Sequence, residues 1–393
     1  MNSLVKNLKA SATLALNQKA KDFIAQGKPV INLTTGEPDF KTSDRIQKAA
    51  IDAIKSGKHF YTASAGIIEL REAIAKTSQS FYQKSYKNEN VIVTNGGKQA
   101  LFNAMFSILE PEDEVLILKP YWVSYPEIVK LCKGKPVLVE SHFEKNFLPD
   151  IEDLKKEITS KTKALIINSP SNPTSQVFPK AWIEECLSVL NKNAPQAYVL
   201  TDDIYGKLIL DQQTYFSAAM SGKFDQDKII VINGLSKTYS MTGWRVGWAL
   251  AHEDIISAMT KIQSQTTANV SAISQWAALE AVSGNQNDVQ VMQETFIQRR
   301  NECLKIIKDI PRCKVLEPHG GFYFFFDVRE AMKKMGFESD IELSNMLLEK
   351  YFLALVPGSA FGKNGFLRMS FAANMNHLTE GLNRLKQAFA LKE

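Results

Sequence analysis

Six short apolar runs constrain this chain more than any other feature: 91–94, 115–118, 164–167, 198–201, 229–232 and 246–250. Each is rich in Val, Ile and Leu, and none alternates apolar with polar residues. A strand with one wet face alternates, so runs of this kind read as strands covered on both faces. Amphipathic stretches at 98–109, 121–133 and 179–191 lie between several of them and predict helices, the last with Pro179 in its first turn. Strand–helix–strand alternation specifies an α/β fold with a mostly parallel sheet.

Beyond about residue 252 the pattern changes. Two long helical patterns, 253–282 and 288–310, precede short strands near 322–326, 353–356 and 367–371 and helices near 339–351 and 377–390. This predicts a smaller α+β domain, with the domain boundary inside a long helix. At the other end, a basic stretch without an acid before Asp22 leads into a first helix that Gly27 ends. Its faint likeness to a transit peptide is outweighed by the plainer reading, a mature arm. Internal repeats and low-complexity segments are absent from the sequence.

Composition narrows the function. With 393 residues, 45% hydrophobic and 23% charged, the chain can bury a large core without staples. Its 47 basic and 42 acidic residues leave a net charge of +5, and no Lys/Arg block stands out, so nucleic acid is not an expected partner. Apolar runs fall short of the roughly 18 residues a membrane span needs. Cys132, Cys186, Cys303 and Cys313 form no CxxC pair and have no His at metal spacing. Free, mostly buried thiols in a reducing cytoplasm and no metal site are therefore expected.

The polar residues fall where the predicted strands end. The run 91–94 leads into Asn95-Gly96-Gly97-Lys98, 164–167 into Asn168-Ser169-Pro170-Ser171-Asn172-Pro173, 198–201 into Asp202-Asp203-Ile204-Tyr205, and 229–232 into Asn233-Gly234-Leu235-Ser236-Lys237. Singly, Gly96-Gly97 reads as a tight turn, Asp202 as a loop cap, Asn172-Pro173 as a turn and Lys237 as a surface charge. Open α/β sheets bind ligands outside the carboxyl ends of their strands, and four such ends carrying these groups predict one convergent site.

An ordered set of motifs spans nearly the whole chain: LTTGEPDF at 33–40, YTASAGIIELR at 61–71, GGKQALFN at 96–103, PYWVSYPE at 120–127, NSPSNPT at 168–174, DDIY at 202–205, Ser236-Lys237 followed by MTGWRVG at 241–247, and LRMS at 367–370. This set resembles the pyridoxal-phosphate aminotransferases of fold type I, most closely the bacterial aspartate and aspartate/prephenate aminotransferases. The resemblance implies a large domain with a mostly parallel seven-stranded sheet plus a smaller α+β domain. The expected division is an arm and part of the small domain at 1–40, the cofactor-binding domain at 41–285, and the small domain at 286–393.

The resemblance also implies roles. Lys237 matches the lysine that joins the cofactor's aldehyde and later carries a proton, which requires a deprotonated amine. Asp202 matches the partner of the pyridine nitrogen. Asn172 and Tyr205 match the donors to the phenolic oxygen, and Trp122 the aromatic that covers the ring. Gly96, Gly97, Lys98, Ser236 and Arg245 match the phosphate site, whose helix N-terminus favours an anion. Tyr61 matches a phosphate-contacting tyrosine from the other subunit, which implies a homodimer with shared active sites. Arg368 matches the arginine that grips the substrate α-carboxylate through two parallel hydrogen bonds, with Gly36 beside it.

Specificity is less direct. Vertebrate-type aspartate enzymes use an arginine from the neighbouring subunit for the distal carboxylate, and the corresponding stretch 263–276, QSQTTANVSAISQW, has none. The bacterial subgroup uses the lysine of the GGKQALFN motif, here Lys98, and a second lysine linked to prephenate, here Lys9. The implied reaction is transfer of an amino group from aspartate to 2-oxoglutarate by a ping-pong route, in cytoplasmic amino-acid metabolism. Glutamate, prephenate or aromatic substrates form the alternative. Gly234, Ser175 and Asp203 depart from the family's usual Ser, Gly and Glu. Elimination chemistry on the same cofactor, and a regulator carrying an added DNA-binding domain, are the competing readings; the chain is expected to have no room for such a domain.

Overall fold

The computed structural model describes residues 5, 6, 8, 12–211 and 213–390, so Lys9 lies outside the described residues. In chain order the strands are β1 Ile31–Asn32, β2 Val91–Thr94, β3 Glu114–Leu118, β4 Lys135–Val139, β5 Thr162–Asn168, β6 Tyr198–Asp202, β7 Ile229–Gly234, β8 Gly247–Leu250, β9 Lys314–Val315, β10 Tyr323–Asp327, β11 Leu353–Ala354, β12 Val356–Pro357 and β13 Phe366–Ser370. The large sheet has seven strands in the order β2-β8-β7-β6-β5-β3-β4. Only β8 runs against its neighbours, β2 and β7; the other pairs are parallel.

Side chains alternate across each strand, so every central strand feeds two cores. Val93, Leu116, Leu165, Val199, Val231 and Leu250 pack on one face with the helix Lys180–Asn193. Ile92, Ile117, Ile166, Leu200, Ile232 and Ala249 pack on the other with the helices Gly97–Ile108 and Glu253–Thr266. This double covering is why those runs carry no polar alternation. The edge strand β4 escaped the sequence pattern because Lys135 and Leu138 are exposed on it.

A separate core lies under the four-stranded antiparallel sheet β12-β13-β10-β9, where Phe322, Phe324 and Phe326 meet Phe296, Leu343, Leu347 and Leu382. The short parallel pair of β1 with β11 ties the N-terminal segment to this part of the fold, and the helix Ala12–Ala25 packs Ala20 against Leu348 and Ala354. The helix Asn287–Ile307 runs between cores: Val289 joins the large one, and Met292, Phe296, Cys303 and Ile307 join the second.

Four local expectations are corrected. The single helix expected over 253–282 is two helices, Glu253–Thr266 and Ala272–Ser283, because Ala268 turns into the left-handed region (φ 60°) and the Ser271 side chain caps the second helix. The single strand expected at 353–356 divides at Leu355: β11 pairs with β1, and β12 with β13. Pro179 is the N-cap of its helix rather than part of the first turn. The helix expected over 121–133 is shorter, Tyr125–Leu131, since the backbone N–H of Tyr121 is engaged by Phe361 O at 3.1 Å.

Close backbone approach shapes the edge where the strands end. Gly247 on β8 faces Thr94 of β2 and Gly234 of β7. A Cβ at Gly247 would run into Gly97 N and lie 2.6 Å from the Gly96 carbonyl carbon, and one at Gly234 would lie 2.9 Å from Gly247 Cα. Gly234 is therefore accounted for sterically. Gly247→Ala is expected to cost about 1–3 kcal/mol through overpacking and to lower the melting temperature measured by calorimetry. An unchanged melting temperature would show that the loop at Gly96-Gly97 yields freely.

Candidate active site

The carboxyl ends of β5, β6 and β7, the turn after β2 and the start of β8 meet at one cavity of about 340 Å³. Asp202, the last residue of β6, lines it with its side chain buried. The Tyr125 hydroxyl donates to Asp202 Oδ2 at 2.7 Å, and the Ile204 N–H donates to Oδ1 at 3.3 Å. Burial pushes the carboxyl up to about 6; the two donors oppose the rise, nearby Asp203 adds to it, and Lys237 works against it. Asn168, at the end of β5, donates to the Asp202 carbonyl at 2.9 Å and so holds the two strand ends together.

Lys237 sits on the short helix Leu235–Thr238 that follows β7, and its ammonium donates to the Gly36 carbonyl. Burial lowers the pKa of the amine to about 8; Glu37 resists the shift, Arg368 and Arg245 favour it, and Asp202 resists it. The lysine and the carboxylate of Asp202 line the same cavity.

Arg368 enters from β13, buried, with its guanidinium over the Tyr323 ring at 4.4 Å. Nη1 donates to Asn172 Oδ1 at 2.9 Å and Nη2 to the Thr34 carbonyl at 2.7 Å, while Nε is buried without a partner among the described residues. A guanidinium only donates, so this contact orients the Asn172 amide: its oxygen faces Arg368 and its NH2 is left for the cavity. The Tyr205 hydroxyl lies 2.9 Å from that of Tyr323, and burial holds its pKa well above the ordinary phenol value. Gly36 passes so close that a Cβ would lie 2.9 Å from Tyr323 Oη.

The opposite end of the cavity is built for an anion. Gly97 opens the helix Gly97–Ile108, whose first N–H groups have no partner within the helix. Gly96 adopts φ 81°, and a Cβ there would lie 2.5 Å from Arg245 Nη2. Arg245 donates to Thr242 O at 2.8 Å and Asn95 O at 3.3 Å, while the Ser236 hydroxyl has no partner among the described residues. At the rim, Lys98 Nζ lies 4.9 Å from the Trp122 ring centroid. Crowding by protein, with the charge of Arg245, lowers the Lys98 pKa.

Tyr61 is not brought to this cavity by its own chain: it is 92% exposed, next to Phe60 at 75%. Gln263 is buried and bonded to Ser64 O and Val93 O, so the arginine-free stretch points its first residue into the core. Sequence reasoning missed Tyr125, Asn168, Thr34 and Tyr323. The first three lie inside the recognised motifs; Tyr323 is hidden in the apolar run FYFFFD, where a tyrosine reads as core.

The residues fit pyridoxal phosphate. One cavity offers an anion cradle that a Cβ at Gly96 would fill, a buried carboxylate for a ring nitrogen, an amine of lowered pKa, an aromatic rim, and a guanidinium with an unpartnered N–H.

Comparison with known proteins agrees. The family model "Aminotransferase class I and II" matches residues 28–385. An aspartate aminotransferase of Bacillus sp. (strain YM-2) is 42% identical, over 97% of each chain. An aspartate/prephenate aminotransferase of Nitrosomonas europaea is 38% identical, over 98% of each. The structure of Thermus thermophilus aspartate aminotransferase with maleate superposes with a TM-score of 0.93 at 37% identity, over 99% of each chain. The chain belongs to the class I and II aminotransferases, enzymes that work with pyridoxal 5′-phosphate.

Proposed function

We propose that this aminotransferase moves the amino group of aspartate to 2-oxoglutarate, giving oxaloacetate and glutamate in two half-reactions through one site. The observation that carries the proposal is the pairing of a carboxylate-gripping arginine, Arg368, with a second cation, Lys98, on the same small cavity. That suits an amino acid with two carboxylates.

Pyridoxal phosphate, when bound, supplies an electron sink for the pair left behind when the substrate Cα loses its proton. The chain's residues do the rest. Gly96, Gly97, Ser236 and Arg245, with the Lys98 backbone, hold the phosphate. Asp202 would keep the ring nitrogen protonated, and a cation there would oppose the rise that burial imposes on the carboxyl. Asn172 and Tyr205 would donate to the phenolic oxygen, and Trp122 would lie beside the ring. Arg368, with Gly36, grips the α-carboxylate and so orients the Cα–H bond. Lys237, an unprotonated amine above about pH 8, is placed to take the proton from the substrate Cα.

We further propose a cytoplasmic homodimer in which Tyr61 reaches the partner's phosphate site; the exposed Phe60–Tyr61 pair supports it. The domain division at 41–285 and 286–393 is part of the same reading. The relative from Nitrosomonas europaea favours a second reading, in which prephenate replaces 2-oxoglutarate as acceptor and Lys9 assists Lys98. Side-by-side assays with oxaloacetate, 2-oxoglutarate, prephenate and phenylpyruvate separate the two.

Lys237→Ala should lower turnover by at least about 10²–10⁴-fold and abolish the borohydride-stable mass addition of the cofactor at residue 237. In cofactor-free protein, acetylation of Lys237 followed by peptide mass spectrometry should show a midpoint near pH 8, below which the amine is protonated and unreactive. A midpoint shared with surface lysines would remove the desolvation argument. Lys98→Ala should lower kcat/KM for aspartate about 10–100-fold, as loss of a charged hydrogen bond does, and spare alanine; equal losses would reject the pocket assignment. Sedimentation should give a species of twice the chain mass, and a monomer with full activity would contradict the shared site.

A further inference from the structure

We infer that Asn17, on the helix Ala12–Ala25, is a specificity-determining residue that donates a hydrogen bond to the distal carboxylate of the substrate. The inference rests on the aminotransferase reading above and deepens it.

A chain of hydrogen bonds fixes which way Asn17 faces. Asn32 Oδ1 lies 3.1 Å from the Thr34 backbone N and 2.7 Å from Thr34 Oγ1. A backbone N–H can only donate, so the Asn32 atom facing it must be the oxygen, and the Asn32 NH2 points the other way. That NH2 lies 2.7 Å from Asn17 and can only donate, so the Asn17 atom that meets it must be the oxygen. The amide orientation of Asn17 is thus imposed by a backbone group two links away. Its Nδ2 has no partner among the described residues, and Asn17 lines the active-site cavity. What it offers the cavity is therefore a donor, which suits a carboxylate oxygen.

The same chain continues to the other end of the substrate. Thr34, which orients Asn32, accepts from Arg368 Nη2 through its carbonyl at 2.7 Å. Arg368 and the Asn17 donor are therefore set by one network of Arg368, Thr34, Asn32 and Asn17. A network that holds a carboxylate clamp and a second donor on one cavity measures the spacing between two acceptor groups. Lys98 supplies charge at the rim but, as a flexible point charge, little geometry. Asn17 supplies direction.

The test is kcat/KM for aspartate and for alanine, which lacks a distal acceptor, in the cofactor-loaded enzyme. In a ping-pong enzyme this ratio belongs to the donor half-reaction alone. Asn17→Ala should lower the aspartate value by about tenfold or more and the alanine value less than about twofold. Asn17→Asp keeps the oxygen that meets Asn32 and loses the donor; its added negative charge should make the aspartate loss larger than that of Asn17→Ala. Parallel losses for both substrates would mean that Asn17 only buttresses Arg368, and no loss would mean that it stands idle; either overturns the inference. Thermal unfolding and cofactor binding of each variant, matched to wild type, separate these results from misfolding. A wild-type enzyme without aspartate turnover would sink the functional reading itself, whereas an active wild type with an indifferent Asn17 would sink only this inference.

Discussion

A carboxylate held out of water at the end of a buried parallel strand sets the terms for the rest of this site. Asp202 follows four strand residues that are themselves largely buried, so the chain delivers an acid to a place where an ionised acid is disfavoured. The Tyr125 hydroxyl and the Ile204 N–H offset part of that cost, and a cationic ring nitrogen would offset more. Parallel pairing then gives the site its other members. It sets the carboxyl ends of β5, β6 and β7 on one edge, which brings Asn172, Asp202 and Lys237 together. The single reversed strand serves the same purpose from the opposite direction: because β8 runs backwards, its amino end lies at this edge, and Arg245 precedes it.

The second core contributes what the first cannot. Arg368 comes from β13 of the small sheet, and Asn17 and Thr34 come from the N-terminal segment that β1 binds to β11. The cavity is therefore closed by residues from two cores, with the acid and lysine on one side and the carboxylate grip on the other. The helix Asn287–Ile307 contributes to both cores and links them mechanically.

Legibility in the sequence followed burial. The central strands were readable because both faces are covered and each carries a mostly apolar run; β4 was not, because an edge strand mixes exposed Lys135 with buried Val139. The break between the helices Glu253–Thr266 and Ala272–Ser283 was invisible because it uses Ala268 and a serine cap, with no Gly or Pro to mark it. Site residues at strand ends stood out as polar groups after apolar runs. Tyr125 and Tyr323 did not, since a buried tyrosine has the same local signature whether its hydroxyl serves a core or a buried carboxylate. Asn17 could not be read at all: the role proposed for it rests on its bond to Asn32, 15 positions away, which Thr34 orients in turn, and no local pattern encodes that.

Charge in the cavity adds a last step. Lys98, Lys237, Arg245 and Arg368 line it against Glu37 and Asp202, so cations outnumber anions there although the whole chain is only mildly basic. The low pKa of Lys237 owes part of its value to Arg368 and Arg245. Anions would answer both: on the proposed function, a phosphate beside Arg245 and a substrate carboxylate on Arg368 would each offset a charge that lowers the lysine's pKa. The two arginines thus help hold the pKa of the amine down to about 8, and anions seated on them would raise it again, making the amine a stronger proton acceptor. On the proposed function, the arginine that would orient the Cα–H bond would also tune the base that takes its proton, which couples recognition to chemistry through electrostatics.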